Sequence, residues 1–508
     1  MRRIVQLGAA GALLLAGSPA AADVYSVGAR TEAQAYQFRS WAGRSFDDPG
    51  VLSRYRIVQY LDLGAYDLAS TAARRGERID FVSSLRLEHD FGFDQADLDR
   101  LDTESQPTLH LLYAYLQWQG ALNGVLDLRL GRQIRFDELE FFSFDGLDVH
   151  VHTPAFIGVG VFGGWQVKGT SILGSPTFAP DGVRMSDRRR IADGATTDLT
   201  ANPASSIAYD YLDAPSPIFG ARLVLENVRN VDAQVVYRRA MSKTQAENLD
   251  ALPEAARGWQ VDVEHAGAAV RFRLLDRWSL YGSADHDLYR SRWAALRAGT
   301  KVDVIPYRLT ITAEAASWNP TFDADSIWYL FATGPRDEYE LRGDLRLGDV
   351  LLYGGPLLTL YHLDLEPTYA KAVGVVPDGT SPLYGGVAGF STAPEIPWRI
   401  AADAMYRGGA SGERNHPDTL GRELWINGVV GRNFRERYAL DLRLTAANVS
   451  DPNAPGLDDL WSFGAALIGR VGLSEEASLT LIVEENVNRT VASDLRGYAV
   501  LDVRTMFR

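Results

Sequence analysis

Arginine recurs at every third position in LRLGRQIRFDELEFFSFDGLDVHV, residues 128–151: Arg129, Arg132 and Arg135 stand around Gln133, and Asp137 and Asp145 follow. Planar guanidinium groups bind carboxylates and other oxyanions through paired hydrogen bonds, so this strip is a candidate contact surface for an acidic solute. A second basic run, Arg188-Arg189-Arg190, lies in the long stretch 169–217 and is either a gate folded inward or a solvated outer loop. Asp148, His150 and His152 follow at i, i+2 and i+4, which puts three metal-ligand types on one face of a strand. That spacing is weak evidence taken alone, and neither a metal nor a cofactor is expected from it. No GxSxG, HExxH or phosphate-cradling glycine loop is present. His286-Asp287 has no serine set beside it by any motif. The chain is therefore expected not to be an enzyme, with a surface hydrolase assembled from separate strands as a distant alternative.

The elements that would carry these side chains alternate. In YALDLRLTA, Tyr438, Leu440, Leu442 and Leu444 share one face, while Asp441, Arg443 and Thr445 share the other. EYELRGDLRL repeats the pattern with Tyr339, Leu341, Leu345 and Leu347 against Glu340, Arg342, Asp344 and Arg346. Runs of about ten residues with period two, separated by turn residues, are the mark of strands with one face on lipid and one on a wet lumen. Tryptophans 118, 165, 259, 278, 318, 398 and 461 recur at strand ends, as interfacial girdles require. Tight connections at 276–277, 394–397 and 435–437 contrast with long ones at 41–52, 93–107, 168–216 and 366–383. The expected fold is all-β: a transmembrane antiparallel β-barrel of about 18–22 strands. The strand QVDVEHAGAAVRFRL changes parity midway, which points to a bulge at Gly267.

The N-terminus sets the compartment. Met1-Arg2-Arg3, an apolar stretch and the small-residue site ending at Ala22 read as a secretory signal peptide, residues 1–22, leaving 23–508 as a single barrel in the outer membrane of a Gram-negative bacterium. The whole chain has no cysteine, which excludes disulfides, thiolate metal sites and c-type haem attachment. Its net charge of −14, which deepens by two on loss of Arg2 and Arg3, argues against a nucleic-acid partner. The expected partners are outer-membrane lipid and lipopolysaccharide. The acidic stretches DQADLDRLD and DPNAPGLDDL offer oxygen donors for bridging calcium but fit no twelve-residue calcium loop.

Along the lumen face the charges come in both signs: Asp127 with Arg129, Arg342 with Asp344 and Arg346, Asp441 with Arg443, Asp502 with Arg504. They either pair with one another as a polar wall or select solutes.

The run LRLGRQIRFDELEFFSFDGLDV resembles the alginate-export family of outer-membrane barrels and its porin-like relatives, in which a Gly-Arg-Gln strand end, an acidic loop and a Phe-Asp-Gly strand start follow one another. WNPTFDADSIWYLF is similar to a loop of those barrels. The matching positions are Gly131, Arg132, Gln133, Asp137, Phe144, Asp145 and Gly146. The resemblance implies an arginine-lined constriction with Arg129, Arg132 and Arg135 as its candidates. It also implies a passive channel exporting a hydrophilic, anionic polysaccharide with help from a separate periplasmic partner. The alternative is a porin for diffusion of small solutes. A sheath around an electron-carrying partner stands behind both. Strict alternation puts Arg132 with Leu128 and Leu130 on the lipid side, unless Gly131 disturbs the strand.

Overall fold

The computed structural model describes residues 24–40, 50–68, 76–92, 108–137, 139–167, 216–243, 259–289, 291–319, 335–362, 380–393, 396–409, 421–434, 437–450, 460–488 and 493–507. The segment carrying Arg188–Arg190, the two acidic stretches and most of WNPTFDADSIWYLF lie outside them.

Among the described residues, 22 antiparallel strands form one sheet. The first, β1 (Val24–Ser40), pairs with both β2 (Gly50–Tyr66) and the last, β22 (Asp494–Phe507), from Tyr25↔Phe507 to Ala35↔Gly497. The sheet is thus a closed barrel, at the upper end of the expected strand count. Closure gives every wall strand two neighbours, which is what strands need where no water can satisfy the backbone. Phe507 stacks on Tyr25 across the seam at 5.7 Å between ring centroids.

The cross-strand register sorts the side chains as the alternation predicts. Leu128 and Val149 pair on the outer face, and Leu130 with Leu147 beside them; Arg129 pairs with Asp148 on the inner face. Leu130, Leu147, Val161, Phe219, Leu223 and Val235 are all exposed on the outside, an apolar belt that suits lipid. The seven strand-end tryptophans named above are also exposed. Trp118, Trp278 and Trp398 stand at the short-turn end, and Trp165, Trp259, Trp318 and Trp461 at the other. Arg432 stacks on Trp398 at 4.9 Å from the ring centroid, an interfacial arginine rather than a lumen one.

Leu444, midway along the strand Tyr438–Ser450, belongs to this outer belt. Leu444→Arg is expected to cost about 2–4 kcal/mol, the penalty for a cation near the bilayer midplane, measured by urea unfolding in lipid vesicles. The same change at Tyr438, on the interface, should cost about 0–1 kcal/mol.

One irregularity is displaced from its expected place. The parity change in β10 (Trp259–Leu274) comes from a register shift between Val261 and Val263, not from Gly267. Below the shift Val263, His265 and Gly267 face inward, and Gly267 serves a different purpose.

Candidate functional site

The sector that departs from a plain wall runs from β4 (Thr108–Gly120) through β5 (Leu126–Asp137), β6 (Glu140–His152), β7 (Ile157–Gln166), β8 (Ser216–Leu225) and β9 (Val231–Lys243) to β10. β5 pairs with β4 only from Trp118↔Leu128 to Ala114↔Arg132. Beyond Arg132 the two part, although β4 reaches back to Thr108. β5 stays zipped to β6 as far as Asp137↔Glu140. The β5–β6 hairpin therefore leaves the wall as a unit.

Its tip shows where it goes. Leu139 is fully buried, and its carbonyl accepts a hydrogen bond from Arg238 Nη2 on β9 at 3.1 Å. Its side chain rests on Gly267 of β10, where any Cβ would collide with it. From β6 to β10 is four strand spacings, about 19 Å along the wall. A hairpin tip spans that only by crossing the interior. Gly267, which the sequence suggested as a bulge, is the flat seat for this leucine.

Glycines make the bend. Gly131, Gly146 and Gly164 are successive cross-strand partners on β5, β6 and β7. A Cβ on them would strike the carbonyls of Ala114, Gly163 and Asp145 in turn. Gly131 also has φ +126°, a conformation that L side chains rarely adopt. Next to this row Gln133 is wholly buried and donates from Nε2 to the Gly146 carbonyl at 3.1 Å and the Arg129 carbonyl at 3.3 Å.

Beneath the hairpin lies an apolar cluster of Phe142, Phe144, Phe162, Ile218 and Ala240, with Val263 against it. All stand on inward-facing positions, and the three phenylalanine rings lie 5.2–5.8 Å apart. Burying such side chains stabilises the docked hairpin by about 1.5–3 kcal/mol each as an upper estimate. Arg135 covers Phe162 at 4.6 Å and Arg238 covers Phe142 at 4.7 Å. Desolvated stacking of that kind contributes about 2 kcal/mol. Arg135 lies 3.3 Å from Asp148, and Arg222 stands 4.0 Å from the same carboxylate.

The residues singled out from sequence thus separate into different tasks. Arg129 lies half-buried on the inner wall, stacked on Tyr115 at 4.8 Å and forked onto Gln117 Oε1 at 2.8 and 3.1 Å. Arg132 lies on the face opposite Arg129, with Asp145 and next to Trp165, and does not line a ring with Arg129. It holds Asp145 by two 2.7 Å bonds and donates to the Leu111 carbonyl at 3.0 Å, on the stretch of β4 that β5 has left. Gln133 and Arg135, on the β5 arm of the hairpin, are buried. Asp137 Oδ1 accepts the Leu139 N–H at 2.9 Å and shapes the tip. The contributions of Arg222, Arg238 and Gly267 carry no local signal, because each acts on the hairpin from β8, β9 or β10.

The Arg132–Asp145 pair is partly exposed, so its net worth is modest. A double-mutant cycle with Arg132→Ala and Asp145→Ala is expected to give a coupling of about 0.5–1 kcal/mol by urea unfolding.

Elsewhere the inner wall is built of opposite charges in contact. Arg342 pairs with Asp344 at 2.8 Å along its strand and stacks on Tyr353 at 4.2 Å. Asp441 pairs with Arg399 two strands away instead of with Arg443, and Asp127 meets His152 instead of Arg129. Of the metal-ligand types, Asp148 turns to Arg135 and Arg222, while His150 and His152 meet Glu226. Partial burial raises the Glu226 pKa, but the bonds from His150 and His152 outweigh it and hold the carboxyl below its ordinary value.

No family model matches the sequence, and no curated protein matches it. Several solved structures align along most of the chain at low identity. OccAB1 of Acinetobacter baumannii has 9% identity and a TM-score of 0.43, over 96% of this chain and 97% of that one. OpdK of Pseudomonas aeruginosa with vanillate has 9% identity and a TM-score of 0.41, over 96% and 99%. A BenF-like porin from Pseudomonas fluorescens Pf-5 has 9% identity and a TM-score of 0.41, over 96% and 99%. On its own strand pairing and faces, the molecule is a barrel of the outer-membrane type.

Proposed function

We propose that the protein is a passive outer-membrane channel for small hydrophilic solutes, with a preference for anions, and that the β5–β6 hairpin is its constriction. The observation that carries this reading is Leu139 seated on the far side of the sector against β10. A 22-strand barrel is wide enough to need filling, and a docked hairpin narrows it. A narrowed bore suits small solutes better than an extended polymer, which places the small-solute porin ahead of polysaccharide export. The alginate-export resemblance then marks how the hairpin bends rather than what passes.

The anion preference rests on charge around the hairpin. Arg129 and Arg222 stand partly exposed there on the inner face, beside the buried Arg135 and Arg238, with Asp148 as the carboxylate between Arg135 and Arg222. Such an excess raises the local anion concentration. No step needs a catalyst or a cofactor. The signal peptide, residues 1–22, and export through the inner membrane belong to the same reading, as does contact with lipopolysaccharide. A periplasmic partner is required only by the polymer alternative.

Planar-bilayer recording of the refolded barrel in a salt gradient is the test. A reversal potential of anion-selective sign, with conductance lowered by small carboxylates, supports the proposal. Block by uronic-acid oligomers that deepens with chain length would favour polymer export. Cation selectivity would overturn the role given to the arginines.

A further inference from the structure

We propose that His150, His152 and Glu226 form a binding site for one divalent transition cation of the zinc class at the short-turn mouth of the lumen. The three come from the last three residues of β6 and the residue after β8, and their ligand-type atoms all lie within 4.8 Å of one another. His150 Nε2 is 2.7 Å from Glu226 Oε1, and His152 Nδ1 is 2.9 Å from Glu226 Oε2. Ligand atoms around a tetrahedral zinc stand about 3.3 Å apart at ordinary bond lengths. Small rotations of three side chains are thus enough to seat the ion.

Independent features of the surroundings point the same way. The second nitrogen of His152, Nε2, is 3.0 Å from Asp127 Oδ2, and Asp127 Oδ1 accepts the Gly120 N–H at 2.7 Å. A carboxylate that orients the far side of an imidazole is the usual support of a metal-bound histidine. Space is left beside the cluster because β7 presents Gly158 to it; a Cβ there would collide with Glu226 Oε1 and stand 2.7 Å from His150 Nε2. His150 is 8% exposed, with Nδ1 buried and without a hydrogen-bond partner, whereas the His152 side chain is 36% exposed. The set therefore has a rigid inner side and a watery outer one. Three protein ligands leave a fourth position for water or an exchangeable group. Two imidazoles with one carboxylate select zinc, copper, nickel or cobalt over calcium or magnesium. The ion would tie the β6–β7, β8–β9 and β4–β5 turns into one rim. This inference does not depend on what the barrel conducts.

The experiment is equilibrium dialysis of the untagged, refolded full-length barrel in detergent against zinc chloride, with bound metal counted by mass spectrometry. One equivalent is expected for the native protein, undisturbed by excess calcium chloride. His152→Ala and Glu226→Gln should each weaken binding by more than tenfold. Asp127→Asn, which removes only the orienting carboxylate, should weaken it by about 10–100-fold. His362→Ala, whose ring contacts Asp337 at the opposite, long-connection end of the barrel, should change nothing. Heat-modified gel migration shows that each variant is folded, and the isosteric Glu226→Gln keeps the test sound if His152→Ala folds poorly. Failure of the native barrel to take up stoichiometric zinc overturns the proposal and leaves an ion-pair cluster. Equal uptake by Glu226→Gln and the native barrel overturns it too.

Discussion

Leu139→Asp is expected to raise the single-channel conductance of the refolded barrel several-fold while the strand content stays native. Leu139 is fully buried at the tip of the inward hairpin, and its contact with Gly267 is the farthest point that the hairpin reaches. Truncating a buried leucine costs about 2–5 kcal/mol, and burying a carboxylate in the same place adds its desolvation cost. The wall strands do not depend on that contact, because β6 remains paired with β7 up to Phe144↔Gln166. The loss should thus fall on docking and leave the barrel intact. Circular dichroism reports the wall, and bilayer recording reports the bore. An unchanged conductance with the wall intact would mean that the hairpin does not set the channel width.

The second large effect concerns the bend. Gly131→Val combines a backbone at φ +126° with a Cβ that would strike the Ala114 carbonyl on β4. Strain of this kind costs about 1–3 kcal/mol before the collision is counted, so a total loss of at least about 3 kcal/mol is expected in urea unfolding. The change also falls where β5 parts from β4, so slower assembly of the barrel should accompany it. Gly428→Ala supplies the control, because a Cβ there meets nothing within 4 Å. Its expected effect is near zero. If the two substitutions proved equally mild, the glycine row across β5, β6 and β7 would not be the cause of the bend.

Both predictions concern the stretch that attracted notice as sequence, yet neither could be made from it. Alternation assigns Gln133 and Arg135 to one face and Arg132 to the other, and the register agrees. What alternation leaves open is what each face meets. Arg132 has lipid-side parity, but the parted strands give it Asp145 and an open carbonyl on β4. Arg135 has lumen parity, but the folded hairpin presses it onto Phe162. The histidines were visible as a pair at i, i+2. Their carboxylate partner Glu226 lies 76 residues from His150 and is brought there only by the pairing of β6, β7 and β8.

The sequence by itself determined the strand period, the division of each strand into a lipid and a lumen face, the aromatic ends and the closed barrel these require. Those are local consequences of side-chain alternation and of a solvent that tolerates no unpaired backbone. Only the tertiary structure decided that 22 strands close the ring, that the Gly131–Gly146–Gly164 row turns one hairpin inward, and that Leu139 docks on β10. Each of these depends on which residues lie opposite one another across strands, and the closure and the Leu139 contact join strands far apart in the chain. Register between distant strands is set by the closure of the whole barrel, and no short window of residues contains it.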